Sequence, residues 1–114
     1  MLEVKLRKIV LDEVITCEAT FLDSGMHVLL YGGHSSHVGS VSTASPTSAV
    51  RTLTVPGHKE FVISEKWASI LAAASQADVC ICCGIHYDQA GTEDISSITR
   101  ATDDMLDELL ESMK

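Results

Sequence analysis

The chain is poor in aromatic residues, in positive charge and in proline. Phe, Trp and Tyr make up 4% of its 114 residues, so its core must be built from Val, Ile, Leu and Ala rather than from stacked rings. Eight Lys and Arg stand against sixteen Asp and Glu, a net charge of -8. A surface of that sign repels nucleic-acid phosphates and anionic lipid headgroups, which excludes both as expected partners. No apolar run is long enough to span a membrane. The first residues, MLEVKLRKIVLDE, lack the apolar stretch and small-residue cleavage site of a secretory signal, so a cytoplasmic location is expected. Missing too are the serine-hydrolase elbow, the dinucleotide-binding glycine fingerprint and the zinc-protease helix motif. These absences weigh against an enzyme without deciding the matter.

Four cysteines are present, and Cys80 and Cys83 have Cys-x-x-Cys spacing within DVCICCGIH. No second such pair completes a zinc site. In a strand, positions three apart face opposite sides. The favoured reading is therefore a buried strand with cysteine as a small apolar filler, against a redox pair.

The length fits one domain covering residues 1–114. Residues 13–22, rich in β-branched types, read as a strand, and the turn Asp23-Ser24-Gly25 leads to a partner strand at 26–31. Further strands are expected at 38–44 and 49–55. A helix fits 59–75, with Ile63, Trp67, Ile70, Leu71 and Ala74 along one face. Residues 78–84 read as a central apolar strand, 85–91 as a loop, and 93–112 as a second helix opened by Thr92 as N-cap. The apolar stripe of that helix, from Ile95 to Met113, can cover the sheet or pair with another subunit. A homodimer or higher homo-oligomer is expected. Strands first and helices after imply an α+β two-layer sandwich: a mostly antiparallel sheet of about five strands with two helices on one face. The last strand follows a helical crossover and can lie parallel to a neighbour.

Four of the five histidines fall in glycine-bearing breaks: His34 and His37 in GGHSSHVG, His58 in PGHKE and His86 in GIHYD. PGHKE opens a helix, where free N–H groups, Lys59 and His58 suit a phosphate or carboxylate. GIHYD places His86 and Asp88 after the central strand as metal ligands, as a base with its orienter, or as a hydrogen-bonded loop. GGHSSHVG can form an anion nest or simply a flexible hairpin end. Together the breaks admit two chemistries. His37, His58, His86 and Asp88 would suit a divalent metal. Backbone amides, hydroxyls and Lys59 would suit a phosphorylated cofactor.

The three motifs GG-x-x-x-H-x-G, PGHKE and GIHYD, in this order over residues 13–111, resemble those of the LpdD-like family. Its members are small accessory proteins of UbiD-type decarboxylases, associated with prenylated flavin mononucleotide. The resemblance implies a non-catalytic chaperone that binds this cofactor as cargo and supports such a decarboxylase, with a flavin prenyltransferase as a further partner. Carried over by position, the implied cofactor-binding residues are Gly32, Gly33, His37, Gly39, Gly57, His58, Lys59, Gly84, His86 and Asp88, with Glu60 completing the PGHKE match. His34 falls at a variable position and reads as a solvent-facing neighbour. Tyr31, Tyr87 and Trp67 are candidates for a wall beside a flat ring, each more often a packing residue. The strand before GIHYD is aliphatic in the family pattern but carries three cysteines here, which favours the filler reading. The alternative is a metal-dependent hydrolase or lyase using the three histidines and Asp88.

Overall fold

A computed structural model describes residues 2–56 and 60–114. Six strands form one open sheet: β1 (Leu2–Val10), β2 (Glu13–Phe21), β3 (Met26–Gly33), β4 (Ser35–Ser45), β5 (Ser48–Thr54) and β6 (Val79–His86). Two helices, α1 (Phe61–Ser75) and α2 (Thr92–Ser112), complete the fold. The spatial order is β1-β2-β3-β6-β4-β5. Among the described residues only the β3–β6 pairing is parallel; the other four are antiparallel. The α+β class with a mostly antiparallel sheet is thus as the sequence implies, and the strand after the α1 crossover does lie parallel to a neighbour.

The sixth strand is β1, absent from the sequence reading. Its residues LEVKLRKIV alternate apolar and charged at first, as a half-buried strand does. It pairs with β2 through a two-residue turn in which Leu11 and Asp12 both have positive φ, 52° and 67°. Such a turn normally advertises itself with Asn-Gly or Gly, and neither is there. β6 also runs two residues beyond its expected end, taking Ile85 and His86 out of the expected loop.

Ile15, Cys17, Ala19, Val28, Leu30, Ile81 and Cys83 alternate along the central strands on the buried face. Against them pack Trp67, Leu71, Met105, Leu106 and Leu109 from the helices. The buried side of α1 is Ser64, Trp67, Ala68, Leu71 and Ala72. It is rotated from the expected face, so Ile70 is exposed. Small residues let α1 approach β4 closely. There Ser64 Oγ meets Ser40 Oγ at 2.8 Å and Ser42 Oγ at 2.7 Å, both buried. Ser42 continues to Thr52 at 2.8 Å, and Thr52 donates to Glu65 at 2.7 Å. The carboxylate can only accept, so Thr52 gives its proton to Glu65 and accepts from Ser42, while Ser64 lies within reach of Ser40, Ser42 and the Phe61 carbonyl. A polar seam of this kind fixes how α1 sits on the sheet, because any other placement strands buried hydroxyls.

On α2 the N-cap is Gly91 rather than Thr92. Asp94 accepts a hydrogen bond from the Gly91 N–H at 3.0 Å. Ile95 is exposed, and burial begins further on, at Ala101. All four cysteines are free. Cys83 faces the core, where it packs as the expected filler, while Cys80 and Cys82 lie half-buried on the open face. Burial pushes the Cys17 thiol up to about 12 and raises Cys83 strongly, as expected for inert structural thiols.

Candidate functional site

The site forms where β3 passes into β4 around the end of β6. β3 stops at Gly33, one residue turns the chain, and β4 begins at Ser35. Gly33 and Ser35 both pair with His86, so the turn straddles the last residue of β6. The His34 N–H donates to the His86 carbonyl at 2.7 Å. A left-handed φ of 85° at Gly33 makes the turn, and a side chain there would strike the His86 carbonyl and the Tyr87 ring. Sequence adjacency of GGH and GIH in space is therefore a product of β6 inserting between β3 and β4.

β4 then bulges. Ser36 pairs with Ile85 and Ser40 with Cys83, so His37, Val38 and Gly39 together oppose the single residue Gly84. The excess backbone folds the His37 carbonyl over Gly84, where any Cβ would overlap it. A bulge re-aims the side chain it carries, and the His37 ring meets the His86 ring edge-on with centroids 6.1 Å apart and planes at 74°.

Glu60 closes the other side. It precedes α1, whose Ile63 and Ser64 N–H groups donate to its carbonyl. Its carboxylate lies 2.6 Å from His37 Nε2, with side chains only 10% and 20% exposed respectively. That placement requires Gly39, since a Cβ there would lie 2.5 Å from the Glu60 carboxyl carbon. Glu60 belongs to the PGHKE motif, where nothing in the local sequence marks a role for it. Its tertiary partner is the missing signal.

Asp88 organises two further imidazoles, those of His86 and His34. Its carboxylate is 2.9 Å from His86 Nε2, and its backbone N–H donates to His34 Nδ1 at 2.9 Å. His34 Nε2 lies 3.7 Å from Glu13. Tyr87, between these residues, is buried; its hydroxyl donates to the Val10 carbonyl at 2.7 Å and its ring meets that of His34 edge-on at 5.4 Å. Burial, then Glu13, raises its phenol pKa. Tyr87 therefore pins the GIHYD segment to the end of β1. His34, expected to be a bystander, is inside the cluster.

Of the expected site residues, the structure brings together Gly32, Gly33, His37, Gly39, Gly84, His86 and Asp88. Gly57, His58 and Lys59 lie outside the described residues. Among the described residues no group of three or more His, Cys, Asp or Glu is placed to hold a metal, and the four-ligand set imagined from sequence included His58. Trp67 is wholly buried and Tyr87 is bonded into the frame, so neither forms a wall for a ligand; Tyr31 is half-exposed on the open face.

An α+β domain with a histidine and glycine cluster at one end of an open sheet is the class defined by this geometry. The chain belongs to the prenylated flavin chaperone LpdD-like family, whose domain matches residues 11–114. A search of curated proteins finds no match. Among the described residues no helix is long and apolar enough to cross a membrane.

Proposed function

We propose that the protein is a non-catalytic carrier that binds prenylated flavin mononucleotide at the imidazole end of the sheet and hands it to a UbiD-type decarboxylase. The observation that carries this reading is the meeting of the GGHSSHVG and GIHYD segments in one half-exposed cluster, in a chain whose family is described as prenylated flavin chaperones. The cargo-contacting residues would be Gly32, Gly33, His37, Gly39, Gly84, His86 and Asp88, with Gly57, His58 and Lys59 receiving the phosphate. Exposed apolar side chains beside the cluster suit the edge of a flat ring: Ile9 opposite Val14 on the neighbouring strands, and Val38 in the bulge. A carrier must release its load, so moderate affinity is expected.

The soluble partner would be the decarboxylase, with a flavin prenyltransferase as donor, both in the cytoplasm. Self-association as a homodimer or higher oligomer would use the open sheet face, where Leu29, Cys82, Val41 and the exposed Leu53 line up in register across β3, β6, β4 and β5.

The test is an absorbance titration with FMN and prenylated FMN, followed by addition to an apo decarboxylase. Saturable binding and faster recovery of decarboxylase activity are expected. If neither the cofactor spectrum nor the partner's activity responds, the reading fails. Metal analysis of the same sample decides the hydrolase or lyase alternative: a stoichiometric divalent metal, lost in the His37→Ala and His86→Ala pair, would replace the carrier reading.

A further inference from the structure

A second recess lies at the far end of β6. That strand starts at Val79, level with Met26 of β3 on one side and Ala44 of β4 on the other. Both neighbours turn back at this level, β3 through residues 22–25 and β4 through residues 45–48. β6 is entered from α1 instead, and a cavity of about 580 Å³ opens between the two turns. Its walls are fixed. The Met26 N–H donates to the Asp78 carbonyl at 2.9 Å. Gly25 beside it has a φ of 95°, and a Cβ there would lie 2.8 Å from the same oxygen. On the other wall the Ser48 N–H donates to Ser45 Oγ at 3.1 Å. The cavity is thus a second product of β6 entering between β3 and β4, roughly 23 Å along the strand from the imidazole cluster.

The lining is mixed. Leu22, Ala44, Ala49 and Val79 supply apolar surface, and Thr43 and three serines supply hydroxyls. Among the described residues Arg51 is the one basic side chain on its wall and Asp78 the one acidic side chain. Arg51 sits opposite Thr43, and Thr43 opposite Cys80, so the guanidinium is rooted two strands from β6. Neither charge is used within the protein: among the described residues the Arg51 and Asp78 side chains form no ion pair and no hydrogen bond, with each other or with any other group. We infer that this cavity binds a small organic monocarboxylate with an apolar body, its carboxylate taken by Arg51 and its body laid against Leu22 and Ala49. A guanidinium presents parallel N–H groups that match the two oxygens of a carboxylate, and cavities of this size hold small ligands. A dianion such as phosphate fits worse. One cation does not balance it, Asp78 repels it, and the net charge of -8 opposes it further. The inference goes beyond the carrier reading and does not depend on it, since the two sites lie at opposite ends of the sheet.

The test is amide NMR of the whole protein titrated, at constant ionic strength, with benzoate, benzyl alcohol and inorganic phosphate. Benzoate should shift the amides of residues 22–26, 43–51 and 78–80 saturably. Benzyl alcohol keeps the ring and loses the charge, and should bind about tenfold more weakly, the fold-change of one charge-assisted hydrogen bond. Phosphate should give no saturable shift at these amides. Arg51→Gln should weaken benzoate by about the same tenfold factor and leave benzyl alcohol unchanged, which separates loss of the charge contact from damage to the cavity. The comparison of the three probes in the parent chain needs no variant. Equal affinity for benzoate and benzyl alcohol overturns the inference, as does phosphate binding as tightly as benzoate. So does benzoate that moves only the amides near His34 and His86, that shows no saturable shift, or that binds Arg51→Gln as well as the parent. Failure of FMN to bind bears on the carrier reading alone.

Discussion

Gly39→Ala probes the closest packing in the site. The added methyl would stand 2.5 Å from the Glu60 carboxyl carbon, 2.6 Å from one of its oxygens and 2.8 Å from the Cys83 carbonyl oxygen. The carbonyl is part of the β4–β6 ladder and moves little, so the Glu60 carboxylate must yield. Overpacking alone costs about 1–3 kcal/mol. Displacing Glu60 also breaks its charge-assisted contact with His37, a group only 20% exposed, and bonds of that type contribute roughly 1.5–3 kcal/mol. The protein takes the cheaper mixture of the two, so a loss of about 2–4 kcal/mol is expected from urea unfolding midpoints. In a Glu60→Ala background the carboxylate is gone and only the Cys83 carbonyl remains in the way. There the same glycine substitution should cost about 1–2 kcal/mol, leaving a coupling of roughly 1–2 kcal/mol between the positions. Costs that agree within about 0.5 kcal/mol in both backgrounds would refute the idea that Gly39 exists to admit Glu60.

Two further outcomes follow from the core. Ser64→Ala removes the hub between Ser40 and Ser42 and should destabilise by about 1–3 kcal/mol, since two buried hydroxyls lose a partner; unchanged unfolding would mean that the seam is idle. The Cys17 thiol is pushed from about 9 to about 12, by burial first and by Glu18 second. Cys83 moves in the same direction, by burial, then Glu60, then Cys82. Both native thiols hold their protons more tightly than the unfolded chain does. The stability they supply is fully present below about pH 9 and is lost as pH rises toward their native values. Unfolding free energy should therefore fall above pH 9, by up to roughly 1.4 kcal/mol per pH unit for each thiol. Cys17→Ala should flatten that slope, and a flat profile in the parent protein would contradict the burial argument.

Much of the sheet could be read from local pattern because strand alternation is a local property. EVITCEATF, MHVLLY and VCICC each show their element without reference to neighbours. β1 escaped for an equally local reason: its turn residues, Leu11 and Asp12, carry none of the usual turn chemistry. Local pattern turns Ile70 rather than Ser64 toward the core because Ile70 outranks Ser64 in hydrophobicity. Tertiary contact with Ser40 and Ser42 reverses that order, and a buried serine is acceptable only where its hydroxyl finds partners.

The sequence by itself determined the class of fold and the three glycine-bearing breaks where four of the five histidines fall. It could do so because composition, periodicity and turn chemistry act over a few residues. Only the tertiary structure decided that β6 enters between β3 and β4, and this insertion sets His34 and His37 beside His86. It likewise decided that a bulge turns His37 toward Glu60, and that Asp88 holds His34 as well as His86. Apart from Asp88 with His86, those relations join residues 23 to 54 positions apart along the chain, and strand order and bulge geometry bring them together where no local pattern could.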